Sequence, residues 1–405
     1  MAINITDQPE DWTPVYNDMR FVIASTNTTQ PNFRYVADVY VSGVAGSTRL
    51  TFDANPITGY GVVDISAIIK SYISSDFNTS VYGFQRCENS YKAYEVEFGE
   101  QYGTTVTTYP NVTSTGVKYA WNASLSAELL QNYTSSTYLV SSGVLLTNQP
   151  ERQKFTSDED QRWLYFINDT SGSAYYLKCT TFDSAGSTIG TYLIENPYQA
   201  STSINLDKLL RVGVGVHDLN NSTLASGSQP VIDSSVESYE VQIVNYAQNN
   251  GTSSYFFDRE CQARQQDPIN VYFLNELGGY DMYPFKYRRS LSNNIERTFI
   301  EQNHGKLTDS LWNQNTTNRG KKQIYTSITN TLNVTSDWIN VYDTAKWIGE
   351  LVASPDVYYY ETVSNIYIPL ICTVNNYESK YQNWDGMWEL KLTFEYANKK
   401  VRQNG

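Results

Sequence analysis

Few side chains in this sequence have the type and spacing that catalysis demands. There are two histidines, His217 and His304, each in a polar, turn-like stretch that reads as surface. No Gly-x-Ser-x-Gly elbow, phosphate-binding loop or His-Glu-x-x-His pair accompanies them. Gly213 and Gly215 read as following a short helix, the wrong context for a dinucleotide site. Glu95, Glu97 and Glu100 are the candidates for a carboxylate pair of the kind that cleaves glycosidic bonds. Glu95 and Glu97, however, alternate with Val96 and Phe98, the pattern of a strand with one wet face, so no enzyme is expected. The acidic run Asp158-Glu159-Asp160 lacks the glycine spacing of a calcium loop and reads as a solvated loop. Cys87, Cys179, Cys261 and Cys372 lie far apart in sequence with no Cys-x-x-Cys pair, which suits reduced, buried thiols. No cofactor and no metal is expected. What remains is contact chemistry. Arg319, Lys321 and Lys322 form the basic patch, suited to an acidic partner or to the acidic N-terminal region of a neighbouring subunit. Trp384 and Trp388 are candidate aromatic contacts.

The elements that must present these residues follow from composition and period. Of 405 residues, 34 are tyrosine and only 18% are charged. Disorder requires few aromatics and dense charge, and helical bundles are dominated by Ala, Glu, Lys and Leu, so both are excluded. Tyr, Thr, Val and Ile suit a pleated, half-buried surface. The fold class expected is mainly β: tandem antiparallel β-sandwich or barrel domains with short helices, plus a C-terminal β-rich domain with one longer helix. A net charge of −13 repels phosphate, so neither nucleic acid nor an anionic membrane is an expected partner. No apolar run reaches the length of a spanning helix. The opening residues have no basic and apolar signal-peptide pattern. The Asn-x-Ser/Thr sequons follow from a chain rich in those residues, so glycosylation is not expected.

An internal repeat organises the first two thirds. An alternating strand, Phe33 to Val41, is followed by Ala45-Gly-Ser-Thr48, a second strand, and Asn55-Pro56. The same order recurs in the stretch from Ser171, with Ala185-Gly-Ser-Thr188 and Asn196-Pro197. Tyr94-Glu-Val96 and Tyr239-Glu-Val241 repeat at a similar offset. Phe33, Tyr35, Ala37, Val39 and Val41 share one face, the period of a half-buried strand. The glycine of Ala-Gly-Ser-Thr fits a tight hairpin, and proline ends the second strand because it cannot donate to a ladder. Asp64 or Ser66 is placed to cap a helix over 65–73, and Asn205 one over 206–210. Arg162 to Ile167 reads as a strand.

These observations predict domains at 1–145, 146–267 and 268–405, the second an internal repeat of the first. In the third, strands are expected at 271–274 and 284–287, joined by the turn Asn275 to Asp281. A mobile loop is expected near 313–322. A helix is expected over 337–352 with Ser336 as its N-cap, followed by two alternating strands, one carrying Ile366 to Cys372 and one Trp388 to Tyr396.

Several segments resemble virion proteins of tailed bacteriophages, in particular crAss-like and other phages infecting Bacteroidetes. They are Pro31 to Val41 with Gly61 to Ser66, Phe273 to Asp281, Ser354 to Tyr358, and Ile368 to Ile371 with Leu390 to Ala397. The resemblance implies a structural tail or neck component made in the bacterial cytoplasm and located in the virion. Its expected partners are other virion proteins and further copies of itself in a symmetric ring, with no catalytic residues to carry over. The alternative is a head or tail fibre or adhesin module that binds host-surface glycans, for which Trp384, Trp388 and Tyr358 to Tyr360 are the candidate aromatics.

Overall fold

A computed structural model describes residues 3–77, 82–104, 107–155, 160–169, 172–199, 207–249, 251–260, 268–339, 342–374 and 389–402. The chain forms two compact units. Met1–Ala263 joins Leu274–Asp281 in the first, and Arg264–Phe273 joins Met282–Gly405 in the second.

The first unit opens with β1 (Ile3–Asp7), β2 (Trp12–Pro14), β3 (Arg20–Ser25), β4 (Arg34–Val41), β5 (Thr48–Phe52) and β6 (Gly61–Asp64). Then follow α1 (Ser66–Lys70), β7 (Phe84–Arg86), β8 (Tyr91–Tyr102), β9 (Thr107–Ser114), β10 (Lys118–Trp121) and α2 (Ala127–Gln131). The repeat continues with β11 (Arg152–Phe155), β12 (Trp163–Ile167), β13 (Tyr176–Phe182), β14 (Thr188–Glu195) and β15 (Leu209–Gly213). It ends with α3 (Val216–Asn221), β16 (Ser238–Val244) and β17 (Tyr255–Arg259).

Alternation builds these strands. Tyr35, Ala37, Val39 and Val41 are buried on β4 while Arg34 and Tyr40 face water. Gly46 and Gly186 turn the β4–β5 and β13–β14 hairpins at φ +82° and +77°, a region open to glycine. The larger sheets share one topology. The first runs β2-β10-β8-β4-β5, with β9 added on β8; the second runs β11-β17-β16-β13-β14. In each, the outermost strand lies parallel to its neighbour, β2 to β10 and β11 to β17, and the other pairs are antiparallel. The sheets are open, so the architecture is of sandwich type rather than a closed barrel.

The smaller sheets differ in one respect. The first repeat has β1-β3-β6, and the second has β12-β15-β7. β7 thus precedes β8 in the first repeat but pairs with β15 of the second, with Phe84 opposite Val212 and Arg86 opposite Leu210. Phe84 is buried in the second repeat's core, edge-on to Phe166 at 6.1 Å.

Two local expectations change here. Leu209 and Leu210 lie in β15, not in a helix capped by Asn205, which itself lies outside the described residues. Both leucines are fully buried between paired strands, so the ladder overrides a local helix signal. The helix comes later, as α3, so Gly213 and Gly215 precede a helix instead of following one. Gly215 is there for closeness: a Cβ would stand 2.3 Å from the Asp160 carbonyl oxygen.

The second unit contains β18 (Ile269–Leu274), β19 (Tyr280–Phe285), β20 (Arg289–Glu301), β21 (Lys306–Thr308), β22 (Leu311–Asn313) and β23 (Lys321–Thr335). It continues with α4 (Tyr342–Ala353), β24 (Val357–Glu361), β25 (Ile366–Cys372), β26 (Lys391–Tyr396) and β27 (Lys400–Val401). Its main sheet runs β19-β18-β24-β25-β26-β23-β20, with β27 on β23. α4 closes the core through Trp347, Ile348 and Leu351, with Trp347 5.6 Å from Tyr283 and 6.0 Å from Phe273. Asp337 to Ile339 are not helical, the described helix being Tyr342–Ala353, and Ser336 lies outside it. Ser336 is fully buried and exchanges backbone and side-chain bonds with Leu390, its Oγ accepting from the Leu390 N–H at 2.8 Å. Trp338 is 54% exposed. The second strand begins at Tyr280, four residues before the expected start, because the turn is completed by Asn275. That side chain accepts from the Leu277 and Gly279 N–H groups, each at 3.0 Å.

Replacing Phe84 with alanine removes an aromatic ring from the second repeat's core. Chemical denaturation is expected to show a loss of about 3 kcal/mol, although Phe84 belongs to the first repeat in sequence.

Candidate interaction surface

The longest fully exposed strand among the described residues is β20. All thirteen of its residues are exposed, and among the described residues only one of its edges is paired, along β23 from Arg289 opposite Val334 to Glu301 opposite Lys321. At a rise of about 3.3 Å per residue this edge is about 40 Å long. β23 is held on its other side by β26 only at Thr331–Thr335 and by β27 at Ser327 and Ile328. Toward its far end the pair is therefore a two-stranded arm, followed by the small β21–β22 hairpin.

Cross-strand partners share a face. Leu291 stands opposite Leu332 and Ile295 opposite Ile328, so the face that is core at Leu332 and Val334 continues along β20 without cover. Leu291 is 59% exposed, Ile295 40% and Phe299 45%. The other face is polar apart from Ile300: Ser290, Glu296 and their partners Asn333 and Ser327 meet by hydrogen bonds at 3.3 and 3.2 Å. One bulge interrupts the pair, and the additional residue, Ile324, lies on β23, leaving β20 regular.

The basic patch belongs to this arm. Lys321 and Lys322 open β23, and Arg319 lies just before them; Lys321 Nζ sits 4.8 Å over the Phe299 ring. The Gln302 side chain donates to the Arg319 carbonyl at 2.7 Å and the Gln302 N–H to that of Gly320 at 2.8 Å, tying the turn to β20. Charge is unevenly distributed along the chain. Residues 1–263 hold 27 acidic and 14 basic side chains, whereas 264–405 hold 15 of each. Across 288–322 there are seven basic residues and three acidic ones. Trp384 and Trp388 lie outside the described residues, as does Cys261. Tyr360 is buried, and Tyr358 and Tyr359 are half-buried, so β24 presents no open aromatic face. A different aromatic group has one open ring: half-buried Tyr175 and Tyr176 and 68% exposed Tyr246 have ring centroids 4.6–6.4 Å apart. They adjoin a recess of about 460 Å³ lined by Ser141, Ser173, Asn245 and Tyr246.

The groups that could do chemistry are held apart or tied down. Glu95 and Glu97 face outward on β8, bonded by Ser114 Oγ and by Tyr40 Oη at 3.0 Å respectively. Glu100 is buried and accepts from Ser25 Oγ at 2.5 Å and Asn27 Nδ2 at 2.6 Å. His217 contacts Tyr82 Oη at 3.2 Å, and His304 is exposed. Cys87 and Cys179 are free, fully buried thiols, and burial pushes both well above the usual thiol range. Among the described residues no group of His, Cys, Asp and Glu is arranged to hold a metal ion, and no helix is long and apolar enough to cross a membrane.

Asp160 corrects the reading of its run as a solvated loop, Asp158 and Glu159 being outside the described residues. It is 2% exposed and pairs with Arg162 at 2.9 Å, because the buried Arg162 guanidinium requires a counter-charge. Asp218 lies beside them and accepts from the Arg162 N–H at 2.9 Å. Burial pushes its carboxyl up to about 7, with the Arg162 N–H and the Arg211 charge opposing this.

No protein-family model matches this chain, and no curated protein matches it either.

The raised Asp218 carboxyl has a pH signature. Its folded value, about 7, exceeds the ordinary unfolded value, so the folded state retains a proton that the unfolded state releases. Stability is then lost as pH rises from about 4 to about 7, by up to about 1.4 kcal/mol per unit. Urea denaturation at pH 5, 6, 7 and 8 is expected to show this slope in the natural protein and a shallower one in Asp218→Asn.

Proposed function

We propose that this chain is a structural subunit of a tailed-phage virion, a tail or neck ring or hub component whose work is assembly with other virion proteins and with further copies of itself. The observation that carries the reading is β20, a thirteen-residue edge strand exposed throughout, with apolar side chains on the face that is core elsewhere in its sheet. Long, uncovered edges invite strand addition, and folded proteins that remain monomeric blunt them. The motif resemblances in Pro31 to Val41 and Phe273 to Asp281 point the same way, and Arg319, Lys321 and Lys322 give the arm a charge opposite to that of the first 263 residues.

Mass spectrometry of purified particles is expected to find this chain at a fixed copy number, with cryo-electron microscopy placing the arm against a neighbour. Reversing Arg319, Lys321 and Lys322 to glutamate is expected to reduce incorporation while leaving the circular dichroism spectrum unchanged. Absence from particles, together with a monomeric mass at all concentrations, would overturn the reading.

A second reading, a fibre or adhesin module that binds glycans, is supported by one specific observation: the Tyr175, Tyr176 and Tyr246 platform beside the polar recess. Sugar rings stack on such faces while hydroxyls bond to Ser and Asn side chains. A glycan array is expected to give signal that Tyr246→Ala abolishes if this reading holds, and no signal if it does not.

A further inference from the structure

We propose that β20 pairs with β20 of a second copy of this chain, antiparallel and centred on Ile295, so that the two sheets become one. The inference goes beyond the virion reading and does not depend on it, since it concerns two copies alone.

The free edge of β20 is regular, because the bulge in its hairpin adds its residue to β23. In an antiparallel pair related by a two-fold axis normal to the sheet, both copies turn the same face to the same side. With Ile295 opposite itself, Leu291 falls opposite Phe299 and Arg289 opposite Glu301. The Leu291–Phe299 and Ile295–Ile295 pairs then alternate on one face with Asn293–Arg297 pairs, and the end charges are of opposite sign. Neighbouring registers lack this match. Moving the centre to Asn293 sets Arg289 against Arg297; moving it to Arg297 sets that arginine against itself. Centring on Glu296 opposes two glutamates, and directly opposed like charges are unfavourable. One register of this strand is therefore self-complementary in both charge and apolar character. Among occupants for the edge, only a second copy makes use of that property.

The contact is isologous, and that makes the test selective. Directly opposite residues in an antiparallel pair have Cα atoms about 4.5–5.5 Å apart, within disulfide range. Ile295→Cys under mild oxidation is thus expected to give a disulfide-linked dimer that reducing agent dissolves. Leu291→Cys alone is not, because its symmetry mate would lie about 27 Å away along the strands. A mixture of Leu291→Cys and Phe299→Cys is expected to cross-link as a heterodimer. Ile295→Asp is expected to weaken self-association in sedimentation at least about tenfold; its position is exposed, and circular dichroism verifies the fold. Each Cys variant is compared with the natural protein, which carries the half-buried Cys372 beside the buried Cys87 and Cys179 and so sets the background. Cross-linking at 291 alone as strongly as at 295, a monomer that Ile295→Asp leaves unchanged, or capture of a different protein's strand on this edge would each overturn the proposal.

Discussion

β7 leaves the repeat in which it is encoded and pairs along β15 of the next, and most of the first unit's organisation follows from that exchange. Phe84 enters the second repeat's core, the Gln85 side chain accepts from the buried Arg211 guanidinium at 3.0 Å, and Arg86 pairs with Asp207 at 2.6 Å. Arg211 also lies 4.8 Å from the Trp163 ring, so a residue from the first repeat and one from the second jointly accommodate a cation that neither could bury alone. Buried charges are tolerated where partners satisfy them. The two sandwiches are accordingly parts of one compact unit rather than beads on a string.

The turn from Asn275 to Gly279 adds a further constraint. Asn275 donates to the Leu146 carbonyl at 3.1 Å, and the Trp121 indole N–H donates to that of Leu277 at 3.0 Å. Gly278, with φ +89°, leaves no room for a side chain, since a Cβ would stand 2.4 Å from the Asn122 carbonyl oxygen. A short polar-glycine segment, followed by the strand of the second unit, thus completes the first unit's surface.

Much of this was legible in the sequence where the information is local. Alternation in Phe33 to Val41, the glycine of each Ala-Gly-Ser-Thr, and the Asn-Pro stops describe hairpins that the backbone forms on its own terms. The Asn55 and Asn196 side chains accept from N–H groups two residues on, at 2.9 Å in each case, as such turns require. What was not legible depends on distant partners. Leu209 and Leu210 read as helix until β12 and β7 flank them, and Ser336 reads as a cap until Leu390 arrives from fifty-four residues downstream. Asp160 reads as wet until Arg162 and Asp218 are brought beside it. The arm was missed for a different reason. Its apolar residues, Leu291, Ile295 and Phe299, are too sparse to announce a core strand, and Arg319, Lys321 and Lys322 were visible only as a patch without the strand that displays them.

The uneven distribution of charge separates two ranges of force. Each copy carries a net charge of −13, all of it in residues 1–263 by balance, while residues 264–405 are neutral overall. Repulsion between copies acts over a Debye length of about 8 Å at physiological ionic strength. Strand pairing, by contrast, acts only at contact. On the proposed pairing, salt or a basic neighbour that neutralises the first unit would lower the barrier to encounter without altering a single bond in the arm, so that timing and fit would be governed by different parts of one chain.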